Sequence, residues 1–423
     1  KVKIGKIPLM LHSNYCLLSG QSTTMLDAMG ESPHEQGGYF IVAGKEKTVI
    51  AQEQMAYNVL YLTKIKAISH WSHKIEIQSR LDNKNVAPST TTLRLSVEKD
   101  EVSSLSKYES KCIYVSLKYV RKEIPLFILF RALGIESDKD ILQYILYDLD
   151  TEISKQLMDV LYETIINTGP IYTQRDAFDY IATLTKGQIV AGKVKKGESA
   201  KEERENMRTQ YLQRVFKYDF LPHVGDSYVE KAYYLGYMTN QLLKLYLGLI
   251  PETDRDNLMY KRVNLSGTLM SNLFSDYYNK FQIYSKRLIE EEYEYHKGVY
   301  SGGKISSLVD DDNKQIYFPA SVITDGFVTS LKGNWGGFSA NLEIPTTLRT
   351  KASINKDKEG VSQDLARLTY LGTISHLRRV NLPIDRTTKI LPPRRLHSSQ
   401  WGFICPVETP EGASIGLLKS ISL

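Results

Sequence analysis

Cysteine is scarce in this sequence: Cys16, Cys112 and Cys405 are the only three, and they lie far apart. An odd, dispersed set argues against a disulfide framework and against a thiolate zinc site, and it points to a reducing compartment. Long apolar runs are missing as well. No stretch approaches the roughly 20 residues that a membrane-spanning helix needs, and no charged-then-apolar segment opens the sequence. The HExxH, GxSxG and Cys-x-x-Cys patterns are absent too. The Gly44-Lys45 pair fails as a phosphate loop, because Gly38 stands one residue too far from Gly44 and Glu46 replaces the Mg²⁺-binding hydroxyl. The aspartate run that could suggest Mg²⁺, Asp310-Asp311-Asp312, sits in a Gly/Ser/Asn-rich stretch and reads as a solvated loop. The sequence therefore offers no self-contained catalytic apparatus and no metal site of its own.

What is present is a chain of 423 residues, long enough for roughly two to four domains. Its 42% hydrophobic and 24% charged residues are ordinary for a globular protein. The net charge of +6 is mild, but its distribution is uneven. Residues 376–397 hold six cations, Arg378, Arg379, Arg386, Lys389, Arg394 and Arg395, against one acid, Asp385. Such a local imbalance is the footprint of a polyanionic partner.

The pattern of elements predicts an α+β, multidomain protein. Residues 7–11 read as a strand. Tyr39-Phe40-Ile41-Val42 and Thr48-Val49-Ile50-Ala51, joined by Ala43-Gly44-Lys45-Glu46, read as a hairpin. Alternation in Thr92-Leu93-Arg94-Leu95-Ser96-Val97 marks a strand-rich unit over 66–119, and helices follow over 125–179, one of them stopped by Gly134. The mixed charge run at 195–208 reads as a solvated helix or loop. Leu235, Met238, Leu242 and Tyr246 form one helical face; Leu273, Tyr277, Phe281 and Tyr284 form another, an aromatic stripe best read as core. Residues 361–379 show apolar positions at three- and four-residue steps and predict an amphipathic helix whose last turn carries His376, Arg378 and Arg379. A basic loop, 384–391, follows.

The most distinctive string is Arg394-Arg395-Leu396-His397-Ser398-Ser399-Gln400-Trp401-Gly402-Phe403-Ile404-Cys405-Pro406-Val407-Glu408-Thr409-Pro410-Glu411-Gly412. Two prolines fix the backbone of a segment carrying two carboxylates, and glycines permit close approach. It resembles the signature of the second-largest subunit of multisubunit, DNA-dependent RNA polymerases. The resemblance extends through Gly37-Gly38-Tyr39-Phe40-Ile41-Val42 with Ile50-Ala51-Gln52-Glu53, Phe130-Arg131-Ala132-Leu133-Gly134, Phe220-Leu221-Pro222-His223, Leu235-Gly236-Tyr237-Met238, Lys261-Arg262, Gly333-Asn334-Trp335-Gly336, Gly360-Val361-Ser362-Gln363 and Ser375-His376-Leu377-Arg378-Arg379. It covers essentially the whole chain and is closest to the eukaryotic, archaeal and large-DNA-virus branch. The chain opens at Lys1 inside an apolar run and stops at Leu423 as a strand-like stretch begins, so it is expected to be part of a longer subunit.

This resemblance implies an enzyme, the polymerase, in which the chain is not active alone. It divides the chain into a protrusion (1–66 and 263–332), a lobe (67–262) and a fork (333–423). It places Gln363, Arg394 and Glu411 near the incoming nucleotide. Loop 384–391, with Arg386 and Lys389, would lie against downstream DNA, with Arg378 and Arg379 on the same basic surface and Lys332 near the upstream RNA–DNA hybrid. The implied partners are the largest subunit and other polymerase subunits, the DNA template, the hybrid and nucleoside triphosphates, with no membrane. The catalytic Mg²⁺ would be held chiefly by the largest subunit and not by this chain. The implied location is intracellular: the nucleus, or the cytoplasm or virion for a viral enzyme. Leu377 and Asn381 depart from the bacterial rifamycin-pocket pattern, so that drug is not expected to bind well. Arg395, Gln400 and Thr387-Thr388 are further departures. A scaffold or protein-interaction module that keeps the fold without polymerase work is the alternative reading.

Overall fold

The computed structural model describes residues 2–65, 69–81, 87–97, 111–185, 199–295, 314–337 and 360–422. The chain forms two compact units, residues 56–255 and residues 1–55 with 256–423. Strands and helices are mixed in both, so the protein is α+β and multidomain. The strands, in chain order, are β1 (Phe40–Val42), β2 (Lys45–Val49), β3 (Ala51–Met55), β4 (Leu60–Lys64), β5 (Trp71–Ser79), β6 (Ser89–Ser96), β7 (Ile113–Ser116), β8 (Ile124–Pro125), β9 (Lys261–Asn264), β10 (Ser362–Asp364), β11 (Arg379–Asn381) and β12 (Leu418–Ser420).

In the unit 56–255, β4 to β8 form one antiparallel sheet in sequence order. The predicted alternation places Leu93 and Leu95 on the face shared with Ile75 and Ile77, all fully buried. Helices Leu126–Ala132, Asp138–Leu146 and Tyr228–Tyr246 are among those that pack into this core. Gly134, at φ +97°, ends the first of them: its N–H and that of Ile135 return to the carbonyls of Arg131 and Phe130, closing both bonds of a Schellman cap. Arg131 is itself buried and donates to Asp138 at 2.5 Å, to Thr168 and to the Ile171 carbonyl. Gly236 lets the helix Tyr228–Tyr246 press on its neighbour, since a Cβ there would lie 2.3 Å from the Tyr144 carbonyl oxygen. Of the charge run at 195–208, residues 199–208 are helical, within Ser199–Tyr218, and the rest lies outside the described residues, as do Asp310-Asp311-Asp312.

The second unit holds two small sheets, β1-β2-β10 and β12-β11-β3-β9. β1 and β2 pair around Ala43 (φ 52°) and Gly44 (φ 75°), a two-residue turn with both angles positive, which matches the twist of a hairpin. The predicted turn is thus shortened from four residues to two. Leu273, Tyr277 and Phe281 of helix Ser266–Tyr295 are buried against Phe327 of helix Ser321–Leu331. Tyr277 Oη also bonds Ser330 Oγ (2.9 Å) and the Gly337 carbonyl (2.6 Å), so the aromatic stripe is core.

Two sequence expectations fail. Residues 7–11 form no strand; Leu11 exchanges backbone bonds only with Tyr39 and Gly38, and Pro8 has no N–H to offer a ladder. Residues 361–379 are not one helix. Ser362–Asp364 pairs with β2 as β10, helix Tyr370–Leu377 begins at a Thr369 cap, and Arg379 already belongs to β11. Edge pairing with β2 satisfies the backbone that the helix would have used, and it leaves Leu368 and Leu371 projecting into solvent at 95% and 77% exposure. Arg378 therefore caps a short helix, and Arg379 lies outside any helical last turn.

Candidate nucleic-acid interface

The base of the site is the sheet β12-β11-β3-β9, where Glu53 of β3 is almost fully buried between two lysines. Lys261 Nζ lies 2.6 Å from Glu53 Oε1, and Lys419 Nζ donates to Oε2 at 3.1 Å. Burial alone would push the Glu53 pKa up; the Lys419 and Lys261 cations outweigh it and hold the carboxyl below its ordinary value. Beside them, Asn381 donates to Gln52 Oε1 (3.0 Å). Four segments distant in sequence are thereby pinned together. Sequence reasoning missed this role, although a lone Lys419 inside Leu417-Leu418-Lys419-Ser420-Ile421 signals a buried partner.

Arg394, in a single turn Pro392–Arg394, spends its guanidinium on four backbone carbonyls: Ala413 (2.7 Å), Ile415 (3.0 Å), Arg386 (2.9 Å) and Thr388 (3.2 Å). It ties the loop 384–391 to the turn after Glu411. The loop is shaped further by Asp385, whose carboxylate accepts the Thr387 N–H (2.9 Å) and hydroxyl (2.8 Å). Those bonds, the backbone one foremost, hold the Asp385 carboxyl below its usual value. On this fixed loop Arg386 and Lys389 are exposed, and their side chains contact no partner among the described residues.

The Glu408-Thr409-Pro410-Glu411 turn divides its two carboxylates. Glu408 accepts the Ser375 hydroxyl, and Thr409 Oγ1 binds the Leu418 carbonyl (3.0 Å) and the Gly416 N–H (2.9 Å). Glu411 is exposed and unpartnered among the described residues. Gln363 lies on β10, opposite Thr48, with its carboxamide bonded to the Gly360 carbonyl (2.9 Å) and the His376 ring (3.0 Å). Arg378 is committed to the Ser422 carbonyl, whereas Arg379 and Lys332 have no side-chain partner among the described residues. All eight residues singled out from sequence lie in one unit; the structure links Arg394 directly to the loop of Arg386 and Lys389.

No group of three or more His, Cys, Asp or Glu side chains among the described residues could hold a metal ion. Near the loop, one free carboxylate, Glu411, is too small a donor set for Mg²⁺, which prefers several oxygen ligands in octahedral array. These residues do not fit a resident metal. Among the described residues no helix is long and apolar enough to cross a membrane.

The model of the family "RNA polymerase Rpb2, domain 2" matches residues 72–264, and that of "RNA polymerase Rpb2, domain 3" matches residues 363–423. Over its full length the chain is 38% identical to "DNA-directed RNA polymerase II subunit 2" of Arabidopsis thaliana and 35% identical to "DNA-directed RNA polymerase II subunit RPB2" of Encephalitozoon cuniculi. It is 32% identical, again over its full length, to "DNA-directed RNA polymerase subunit Rpo2" of Saccharolobus shibatae. It covers 32%, 33% and 32% of these proteins in turn, so it spans about a third of their length. On these matches, the chain belongs to the family of second-largest subunits of multisubunit DNA-directed RNA polymerases.

Proposed function

We propose that this chain forms the protrusion, lobe and fork of an RNA polymerase second-largest subunit, lining the DNA cleft and one side of the nucleotide-addition site. Residues 1–66 and 263–332 are assigned to the protrusion, 67–262 to the lobe and 333–423 to the fork. The observation that carries the reading is the loop 384–391: Arg394 locks it through two of its carbonyls, and it presents Arg386 and Lys389 free to solvent. A cationic loop of fixed shape suits the phosphates of duplex DNA where strands part. Lys332, Arg379 and Arg378 are proposed to extend the basic surface, and Glu411 to engage a cation of another subunit. Gln363 is proposed to face the incoming nucleotide. The enzyme is the assembled polymerase, a nucleotidyltransferase, with its Mg²⁺ held chiefly by the largest subunit, and its eukaryotic relatives favour a nuclear location.

The test is DNA retention by the assembled enzyme carrying Arg386→Ala and Lys389→Ala. Loss of two phosphate contacts should weaken binding and flatten the salt dependence by about two units of slope. An unchanged slope would sink the proposed DNA contact. A scaffold without polymerase work is the second reading, favoured by the commitment of Arg394 and Arg378 to carbonyl oxygens. Copurification with a largest subunit, and RNA synthesis by that complex, separates the two.

A further inference from the structure

The carboxamide of Gln363 has two ends of nearly equal shape, and its neighbours distinguish them. The Gly360 carbonyl can only accept, so it takes the Nε2 end at 2.9 Å. On the other side stands His376, whose Nδ1 receives the Ala366 backbone N–H at 3.1 Å. A nitrogen that accepts carries no proton, so in the neutral ring the proton is on Nε2, which donates to Gln363 Oε1 at 3.0 Å. The ring is 5% exposed, and burial, then the nearby Arg379 cation, favours its neutral form. Gln363 itself is half-buried on a strand whose backbone is paired with β2.

We propose that His376 is a positioning residue: its Nε2–H fixes the rotation of the Gln363 carboxamide, so that one donor and one acceptor face an incoming nucleoside triphosphate in a set order. This rests on the placement of Gln363 near the nucleotide. The remaining amide N–H and the second lone pair of Oε1 are the groups left for the ligand. Without the ring proton only the Gly360 carbonyl still holds the amide, and the order of donor and acceptor on the ligand side is less firmly fixed. The two nitrogens of His376 thus have separate jobs, Nδ1 for the backbone and Nε2 for Gln363.

That separation makes the inference testable in the assembled polymerase. His376→Asn keeps an acceptor near the Nδ1 position and removes the distal donor; His376→Gln keeps a donor near Nε2 and removes the proximal acceptor. Single-nucleotide addition would be followed over a range of nucleotide concentrations, beside assembly yield. His376→Asn should assemble normally and raise the half-saturating nucleotide concentration about three- to tenfold, the loss expected for one oriented hydrogen bond. His376→Gln should stay near the parent value, and adding Gln363→Ala to His376→Asn should cause little further change. A normal nucleotide dependence for His376→Asn, with Gln363→Ala alone impaired, overturns the positioning role and leaves His376 a backbone brace. If Gln363→Ala alone is unimpaired, the placement of Gln363 near the nucleotide falls, and this inference with it.

Discussion

Glu53 and Lys261 form a buried ion pair, 2.6 Å apart, on neighbouring strands from the two segments that flank residues 56–255 in the sequence. Replacing Glu53 with Gln removes the carboxylate that Lys419 pairs with and leaves Lys261 only the more distant Asp256, at 3.9 Å. Breaking a buried pair this way costs about 3–5 kcal/mol, and urea unfolding at neutral pH should read that loss. The folded carboxyl lies below its ordinary value of 4.5, so its stabilising effect is complete above that pH and is lost as pH falls toward the folded value. The acid limb of the stability profile should therefore be flatter for Glu53→Gln than for the parent. Parallel limbs would mean that the carboxyl is not the group titrating.

For Arg394→Ala, the structure predicts loosening at two places at once. Amides around 386–388 and 413–415 should exchange faster together, because one guanidinium holds both segments. At a half-exposed site the net loss should be about 2 kcal/mol, less than the sum of four charged bonds. Arg394→Lys should rescue only part of it, since an ammonium lacks the planar fork that reaches four carbonyls. Hydrogen exchange that rises at one segment alone would refute the shared tie.

Two glycines of the same region should respond differently to alanine. Gly416 has φ +69° and sits so close to Arg394 that a Cβ would meet its carbonyl oxygen at 2.1 Å. Gly402, at φ +81°, has nothing within 4 Å of that position. Gly402→Ala should cost only the left-handed strain, about 1–2 kcal/mol, whereas Gly416→Ala must also displace backbone and should lose clearly more. Melting temperatures of the two variants decide it; equal shifts would contradict the close approach.

Lys231 offers a test in the alkaline range. It is fully buried and donates to the carbonyls of Phe216 (2.6 Å) and Lys217 (2.7 Å), at the end of helix Ser199–Tyr218. Burial pushes its pKa down to about 8 from 10.5, against the pull of Asp226 and Asp219. Between those values the unfolded chain binds the extra proton, so stability contributed by this group rises with pH through the window. Lys231→Met should be about 1–3 kcal/mol less stable at neutral pH, and the gap should widen from about pH 8 upward. A gap that narrows there would mean that the lysine is not desolvated.

Legibility in the sequence followed how local each determinant is. Gly44 and Gly134 announce a hairpin and a helix stop because their conformations are set by their own backbone. Tyr277 and Phe281 were readable as core from their spacing alone. Residues 361–379 were not readable, because the competing partner of Gln363 is Thr48, more than 300 positions away and invisible to periodicity. The same applies to Arg394. Its motif marks it as special, but its partners are carbonyl oxygens, which every residue has and no sequence pattern records. His376 was read as a helix-end cation. Its buried ring, bonded at both nitrogens, shows a neutral connector.

The sheet β12-β11-β3-β9 draws its strands from residues 51–55, 261–264, 379–381 and 418–420. During synthesis, β3 must wait for the last of its sheet until residue 420 has left the ribosome, whereas the unit 56–255 is contiguous and can close long before. Non-local pairing of this kind folds slowly, since the connecting chain must be gathered before any contact rewards it. For that interval Glu53 lacks Lys419 and the edge of β11 stands uncovered in the nascent protein, and an early chain terminus would leave them so permanently. A ribosome stalled before Lys419 is made would thus release a well-folded middle carried on unfinished flanks, a natural substrate for chaperones.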